Sequence, residues 1–139
     1  MSLFKKSTPK QTAKPVTQSI SYPIEISFWD DHYEGISKLL EECEIDLNTL
    51  HASGYCNGKL VPEPDNDYDP NAVMVYAAPK GRGKTYHHIG YIPSEDALLI
   101  RSDIKKVVAG THYWSIRISF DARDGLSFTI GLHESKFNR

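Results

Sequence analysis

The spacing of apolar residues predicts short strands and two helices. From Tyr22 to Trp29 apolar and polar positions alternate, as in a half-buried strand. Between Tyr33 and Glu44 the apolar residues fall at helical intervals, which predicts a short amphipathic helix. A second helix is expected from Ser94 to Ile104, because this segment opens with a serine that can cap and with acids in its first turn.

Further strands are predicted between clusters of turn-forming residues. They cover residues 54–63, 72–77, 89–92, 112–120 and 126–132. Gly58 is expected at a bend or bulge, and Pro62 to Asn71 is expected to be an ordered loop. Because no repeated βαβ alternation is visible, we predict a mainly β fold with two helices (α+β), a small antiparallel OB-like or modified β-barrel.

One short motif matches a permissive phosphate-loop pattern. Ala78 is followed by four residues and then by Gly83-Lys84-Thr85. A phosphate loop must lead from a buried strand into a helix whose N-terminus faces the anion. The residues after Thr85 instead have the pattern of a strand, so we expect the glycine-rich stretch to be the tip of an antiparallel hairpin.

Charge and composition divide the chain into a tail and one domain. Residues 1–21 are rich in Lys, Thr, Ser and Pro and are predicted to be a disordered basic tail, which leaves residues 22–139 for the barrel. The first 20 residues hold four lysines and no acid; because the chain carries −2, residues 21–139 sum to −6. An acidic body argues against coating long nucleic acids and leaves room for recognition of something small or terminal.

The two cysteines form no CxxC pair, and this favours a reducing, cytoplasmic location, with association with the nucleoid as an alternative. Asp65, Asp67 and Asp69 alternate as in a calcium loop, but Pro70 and Tyr76 stand where an EF-hand needs Gly and Glu. The histidines show no ligand spacing, so we expect no metal and no cofactor. The chain shows no nucleophile motif, so we predict a binding module; a metal-dependent nuclease built on the three aspartates is the enzymatic alternative.

Two segments resemble the HIRAN domain family. They are LVPEPDNDYDPNAVMVY from Leu60 and IGYIPSEDA from Ile89. The matching residues occur in the family's order: Glu63-Pro64, Asn66, Tyr68-Asp69, Asn71-Ala72, Gly90-Tyr91 and Pro93. The stretch HYEG at residues 32–35 is similar, more loosely, to the family's first motif. The resemblance covers about residues 24–128 and implies an OB-like barrel that holds the 3′-hydroxyl end of single-stranded DNA.

The resemblance also implies a set of DNA-binding residues. By position, Tyr33 and Tyr68 would stack on bases, Asp69 would accept the hydrogen bond of the 3′-hydroxyl, and Asn66 would be an orienting group in the same loop. Tyr91 would lie near the terminal phosphate. His32 stands where the family has a tyrosine, and the hairpin would add cations for phosphate contact: Lys80, Arg82 and Lys84.

These residue types suit the capture of a strand end. An aromatic face stacks on any base for roughly 1–3 kcal/mol, and a carboxylate accepts a hydrogen bond from a hydroxyl but repels a phosphate. The alternatives without a binding role are core or lid packing for Tyr33 and Tyr68, core packing for Tyr91 and a purely structural role for Asp69. The expected partners are single-stranded DNA 3′ ends and proteins of repair, replication or mobile elements.

The acidic residues near the candidate site also fit a second function. Asp31 occupies a position where the best-known DNA-binding members have a basic residue, and three aspartates crowd one loop. Both features fit a protein-interaction adaptor that keeps the barrel without binding DNA. A basic rim around Tyr33, Tyr68 and Asp69 would favour DNA, and an acidic rim would favour the adaptor.

Overall fold

The computed structural model describes residues 20–27 and 32–136. Its strands are β1 (Ile24–Glu25), β2 (His51–Pro62), β3 (Val73–Ala78), β4 (His87–Tyr91), β5 (His112–Asp121) and β6 (Gly125–Glu134). Its helices are α1 (Tyr33–Glu42), α2 (Ser94–Ala97) and α3 (Arg101–Val108). Nearly all of the predicted basic tail lies outside the described residues. Ile20 is described, and it packs against the core.

The strands form a single antiparallel sheet in the order β1-β6-β5-β2-β3-β4. The long strand β2 holds the sheet together, because its first half pairs with β5 and its second half with β3. The sheet curls until its two edges meet at a bridge between Ser27 and Tyr91, whose backbone N–H groups donate to each other's carbonyl oxygens at 2.9 and 3.0 Å. The predicted small, mainly antiparallel β fold of OB-like character is confirmed.

The core fills the inner face of this curled sheet. Side chains of a strand alternate between two faces, and on β5 the inward set includes Trp114, Ile116 and Ile118, all buried. Helix α1 covers one side of the core with Ile36, Leu39 and Leu40. The other large, fully buried side chains come mostly from the sheet: Phe128, Ile130, Val73, Val75, Ile89, Ile26 and Ile100.

The glycine-rich stretch is a hairpin tip, as predicted. β3 and β4 pair antiparallel, and residues 79–86 join them through turns and bends without a helix. Gly81 and Gly83 adopt positive φ angles of 119° and 71°, a region that glycine enters without steric cost. No parallel strand and helix flank the motif, so it lacks the framework of a phosphate loop.

Three local predictions need correction. The helix expected at 94–104 is two short helices, because the N–H of Arg101 bonds to the carbonyl of Leu98 at 3.3 Å and tightens the chain between them. Ser94 makes no capping hydrogen bond; Pro93 precedes the first helical residue. Gly58 lies in a continuous strand, and the bulge falls between Val75 and Tyr76 instead.

Gly58 has a different reason to be glycine. A Cβ built there would lie 2.9 Å from Cγ1 of Ile116 on the neighbouring strand. This position therefore permits close approach of β5 to β2, which is one of the uses of glycine within a strand. Among the described residues, no helix is long and apolar enough to cross a membrane.

Candidate nucleic-acid-end site

In the turn-rich loop between β2 and β3, residues 63–71, the Asn66 side chain makes three hydrogen bonds, two of which hold the backbone. Oδ1 of Asn66 accepts hydrogen bonds from the backbone N–H groups of Tyr68 and Asp69, both at 2.8 Å. Its Nδ2 donates to Oε1 of Glu63 at 2.8 Å. Asparagine suits this position because its short amide can bond to the backbone two residues ahead. The loop closes where the N–H of Glu63 donates to the carbonyl of Ala72 at 2.9 Å.

This fixed backbone presents an aromatic ring and a carboxylate side by side. The Tyr68 side chain is 97% exposed although the N–H of its own residue is bound by Asn66. Asp69 is half-buried, and its Oδ1 accepts a hydrogen bond from the N–H of Asn71 at 2.9 Å. The second carboxylate oxygen of Asp69 is not used in this turn. Tyr68 is thus not a core or lid aromatic in this structure, and Asp69 has a structural role as well as a second oxygen that this turn does not use.

The loop is anchored to the sheet through Glu63. The hydroxyl of Tyr91 on β4 donates to Oε1 of Glu63 at 2.8 Å, the same oxygen that accepts from Asn66. The hydrogen bonds from Asn66 and Tyr91 lower the pKa of the Glu63 carboxyl, and the nearby His88 and His32 add to this effect. Burial, followed by the bond to Glu63, raises the pKa of the Tyr91 phenol. Glu63 is therefore an ionised acceptor at neutral pH.

A stack of rings supports Tyr91 on the outer face of the hairpin. His88 lies with its ring centroid 4.1 Å from that of His32 and 4.9 Å from that of Tyr76, both in stacked orientation. Tyr91 meets His88 edge-on at 5.2 Å. Nε2 of His88 lies 3.0 Å from the carbonyl oxygen of Gly90, which fits a ring that donates its proton there. Burial and the adjacent His32 lower the pKa of His88, so the ring is neutral at pH 7.

Helix α1 begins beside this ring stack, because His32, the residue before its first turn, stacks on His88. Tyr33 is the first helical residue and is 76% exposed. The helix packs against β4 closely: a Cβ at Gly35 would lie 3.1 Å from the carbonyl oxygen of His88. Gly35 therefore sets the approach that places His32 on the stack, and the structure explains why a glycine follows the aromatic pair.

Arg101, which no sequence motif indicates, lies beside the loop. Arg101 begins α3, and one of its terminal nitrogens donates to the carbonyl oxygen of Asn71 at 3.3 Å. Nothing near Arg101 in the sequence marks it, because its position depends on how the first turn of α3 lies beside the residues that precede β3. Asp65 and Asp67 are exposed in the same loop, so the rim combines acidic and basic groups.

The hairpin cations lie elsewhere. The loop precedes the first residue of β3 and the hairpin tip follows the last one, so the six residues of this strand separate them by about 20 Å. Lys80, Arg82 and Lys84 are exposed at the tip. The Nζ of Lys80 lies 5.9 Å from the ring centroid of Tyr55 on β2. The structure therefore does not bring these three residues to the rim of the Tyr68 loop.

The positions of the acids and histidines bear on the two metal-binding alternatives, a calcium loop and a metal-dependent nuclease. Within the described part of the chain, no group of three or more His, Cys, Asp and Glu side chains is arranged to hold a metal ion. Oδ1 of Asp69, the third aspartate of the suggested nuclease set, accepts a backbone hydrogen bond within the loop. Asp69 therefore acts as a turn former in this geometry.

Comparison with known families gives one match. A model of the HIRAN domain matches residues 48–123, more than half of the chain. The matched segment includes the whole 63–71 loop, Tyr91 and Arg101, and it leaves His32 and Tyr33 outside; it is shorter than the 24–128 expected from the resemblance. No curated protein and no solved structure matches the chain.

Proposed function

Because the chain belongs to the HIRAN domain family, known as a DNA-binding module, we propose that it binds single-stranded DNA at a free 3′-hydroxyl end through its 63–71 loop. The observation that carries the proposal is the state of Tyr68. The Tyr68 ring, 97% exposed on a hydrogen-bonded backbone, adds almost no buried surface to the fold. It offers a stacking face that loses little conformational freedom on binding.

Asp69 supplies the selectivity for the end. Its neighbour Tyr68 positions the terminal base, and the oxygen of Asp69 that is left unused by the Asn71 turn accepts the hydrogen bond of the 3′-hydroxyl. A 3′-phosphate brings negative charge to the same place and is repelled. A strand that continues beyond this point has no hydroxyl to donate. Asn66 contributes by holding both residues through their backbone N–H groups.

The charges at the rim fit one strand end better than a long track of phosphates. Asp65 and Asp67 disfavour phosphates on their side of the loop, whereas Arg101 places a cation within 3.3 Å of the carbonyl of Asn71. We assign contact with the phosphate of the terminal nucleotide to Arg101. The hydroxyl of Tyr91 is occupied by Glu63, so its role in the proposal is to hold the loop beneath that nucleotide.

Tyr33 and His32 complete the proposed site from the side of α1. Tyr33 offers a second exposed ring for the base before the terminal one, and His32 fixes the start of the helix by stacking on His88. Binding at an end without chemical conversion suits a role in recognising exposed 3′ ends during repair, replication or the movement of mobile elements.

Fluorescence anisotropy with short labelled oligonucleotides tests the proposal. The set compares a free 3′-hydroxyl, a 3′-phosphate, a closed circle and a blunt duplex, each with the wild type, Tyr68→Ala and Arg101→Ala. We expect tight binding of the free 3′-hydroxyl only, and a loss of roughly 1–3 kcal/mol in Tyr68→Ala for one lost stacked base. Weak and equal binding of all four ligands would overturn the proposal and favour the protein-interaction adaptor.

A further inference from the structure

A second aromatic and basic surface lies on the outer face of the sheet. The strand register places Tyr55 of β2 opposite Arg117 of β5, Arg117 opposite Thr129 of β6, and Thr129 opposite Glu25 of β1. These residues form one row across the sheet. Tyr55 is 57% exposed and Arg117 is exposed, so the middle of the row is open. Neither side chain contributes to the core.

Two cations lie close to the ring of Tyr55. The Nζ of Lys80, from the hairpin tip, lies 5.9 Å from its centroid, and the guanidinium carbon of Arg117 lies 6.0 Å from it. Contacts of this length are attractive through the ring quadrupole and keep the charged groups close to the aromatic ring. The result is an exposed aromatic ring with two positive charges beside it.

A related arrangement, one cation beside two rings, lies nearer the loop. The Nζ of Lys59, four residues along β2 from Tyr55, lies 5.5 Å from the ring of Tyr76 and 5.1 Å from that of Tyr86. Residues four apart in a strand are on the same face and about 13 Å apart. Tyr76 in turn stacks on His88, which contacts Tyr91 below the loop. Rings and cations thus follow one another from the 63–71 loop to Arg117.

A groove lies along the far part of this path. It has a volume of about 330 Å³ and runs beside Tyr55 and Arg117 towards Ser115, Thr129 and Pro23. Glu25, an acid on this face, stands at the edge of the sheet and is separated from Arg117 by Thr129. Among the described residues that line the groove, Arg117 carries a permanent positive charge and none is an acid.

We propose that this surface binds the part of a DNA single strand that leads away from the captured 3′ end. We call it the outer-face track and define it by six residues: Lys59, Tyr76, Tyr86, Lys80, Tyr55 and Arg117. Stacking rings interleaved with cations are the means by which single strands are bound without sequence readout, with about 4–16 nucleotides per OB-type barrel. The inference rests on the proposed function, because the loop fixes where the strand begins.

Oligonucleotide length separates the track from the end site. The dissociation constants of a trinucleotide and a dodecanucleotide, both with a free 3′-hydroxyl, are measured by anisotropy at several salt concentrations. The variants are Tyr55→Ala and the double variant Lys80→Ala/Arg117→Ala. Tyr55→Phe keeps the ring, and Lys105→Ala removes an exposed cation from α3, so these two serve as matched controls. Circular dichroism melting confirms that each variant is folded.

The wild type should bind the longer strand more tightly. Tyr55→Ala should weaken that binding about tenfold and leave the trinucleotide unchanged. The double variant should reduce the slope of log affinity against log salt by about 1.4 for the dodecanucleotide, since each lost phosphate contact removes about 0.7. Both controls should bind like the wild type.

Each contrary outcome has its own meaning. Equal affinity of the wild type for the two lengths, or equal weakening of both by Tyr55→Ala, would overturn the track and leave end capture standing. Binding of the dodecanucleotide alone, sensitive to Tyr55→Ala, would support the track and refute capture by the loop. Absence of binding to either strand would overturn both proposals.

Discussion

The hydroxyl of Tyr91 donates a 2.8 Å hydrogen bond to Oε1 of Glu63, and this contact joins the β4 strand to the loop that presents Tyr68. Tyr91 also forms the backbone bridge with Ser27 at which the edges of the sheet meet. One residue therefore links the closure of the barrel to the placement of the candidate site.

Removal of the Tyr91 hydroxyl should destabilise the fold modestly. Tyr91→Phe keeps the ring against His88 but deletes the hydrogen bond to Glu63, so we expect a loss of about 1–2 kcal/mol in the free energy of unfolding in urea. Tyr76→Phe is the matched control, because its hydroxyl contacts only the sulfur of Met74 at 3.7 Å among the described contacts. An equal loss of unfolding free energy in both variants would mean that the Tyr91–Glu63 hydrogen bond stabilises the fold no more than the Tyr76 hydroxyl does.

The order of the loop should depend on the acceptor oxygen of Asn66. In Asn66→Ala the N–H groups of Tyr68 and Asp69 lose their partner, so their amide hydrogen exchange should accelerate at least tenfold. Asn66→Asp retains the acceptor and should preserve this protection, while its second oxygen faces the Glu63 carboxylate and costs stability at neutral pH. Unchanged exchange in Asn66→Ala would show that the loop backbone is held by other contacts.

Acid should destabilise the protein partly through Glu63. The folded-state pKa of Glu63 lies below that of the unfolded chain, which is about 4.3. Its ionised form therefore stabilises the fold above the unfolded pKa, and this contribution disappears as the pH falls through the folded pKa. Urea unfolding at pH 7 and pH 3 should show a smaller acid-induced loss in Glu63→Gln than in the wild type. A larger loss in the variant would contradict this assignment.

The pKa of His88 should lie below that of an ordinary histidine. Burial disfavours its charged form, so its pKa in the folded protein lies below the unfolded value of about 6.5. Stability linked to His88 is therefore present above that value and is lost as the pH falls towards the folded pKa. A proton NMR titration of the His88 ring measures this directly. An apparent pKa of His88 at or above about 6.5 would refute the buried neutral ring.

A side chain at Gly35 should push α1 away from the hairpin. The added Cβ in Gly35→Ala would meet the backbone oxygen of His88 at 3.1 Å, and backbone cannot move aside as a flexible side chain can. Overpacking typically costs about 1–3 kcal/mol, and the helix propensity of Ala offsets about 1 kcal/mol of this, so we expect a small net loss of stability together with a chemical-shift change at His32. Lys38→Ala, on the exposed side of the same helix, should change neither.

Sequence patterns alone predicted the elements whose conformation depends on residues close together in the chain. The alternation in β5 and β6, the helical spacing of α1 and the hairpin around Gly81 and Gly83 all appear where the sequence predicted them. The division at Leu98–Arg101 was missed because apolar spacing continues through it. Gly58 was assigned to a bulge since the side chain that requires it, Ile116, is distant in sequence.

The candidate site was predictable only within its loop. The residues of the loop could be named from the resemblance, and the Asx hydrogen bonds of Asn66 and Asp69 follow from their chemistry. The contact of Arg101 with Asn71 and that of Lys80 with Tyr55 depend on docking of distant elements. The hairpin cations were therefore expected beside the loop, and the structure places them at the opposite end of β3.

The most direct test of end capture is the ratio of affinities for a 3′-hydroxyl and a 3′-phosphate oligonucleotide of the same sequence, in the wild type and in Asp69→Asn. The amide retains an acceptor for the Asn71 turn but loses the negative charge, so the loop stays intact. We predict at least about a tenfold preference for the hydroxyl in the wild type, falling to near equality in Asp69→Asn. An unchanged preference in the variant, or none in the wild type, would contradict the assignment of Asp69 as the acceptor of the 3′-hydroxyl.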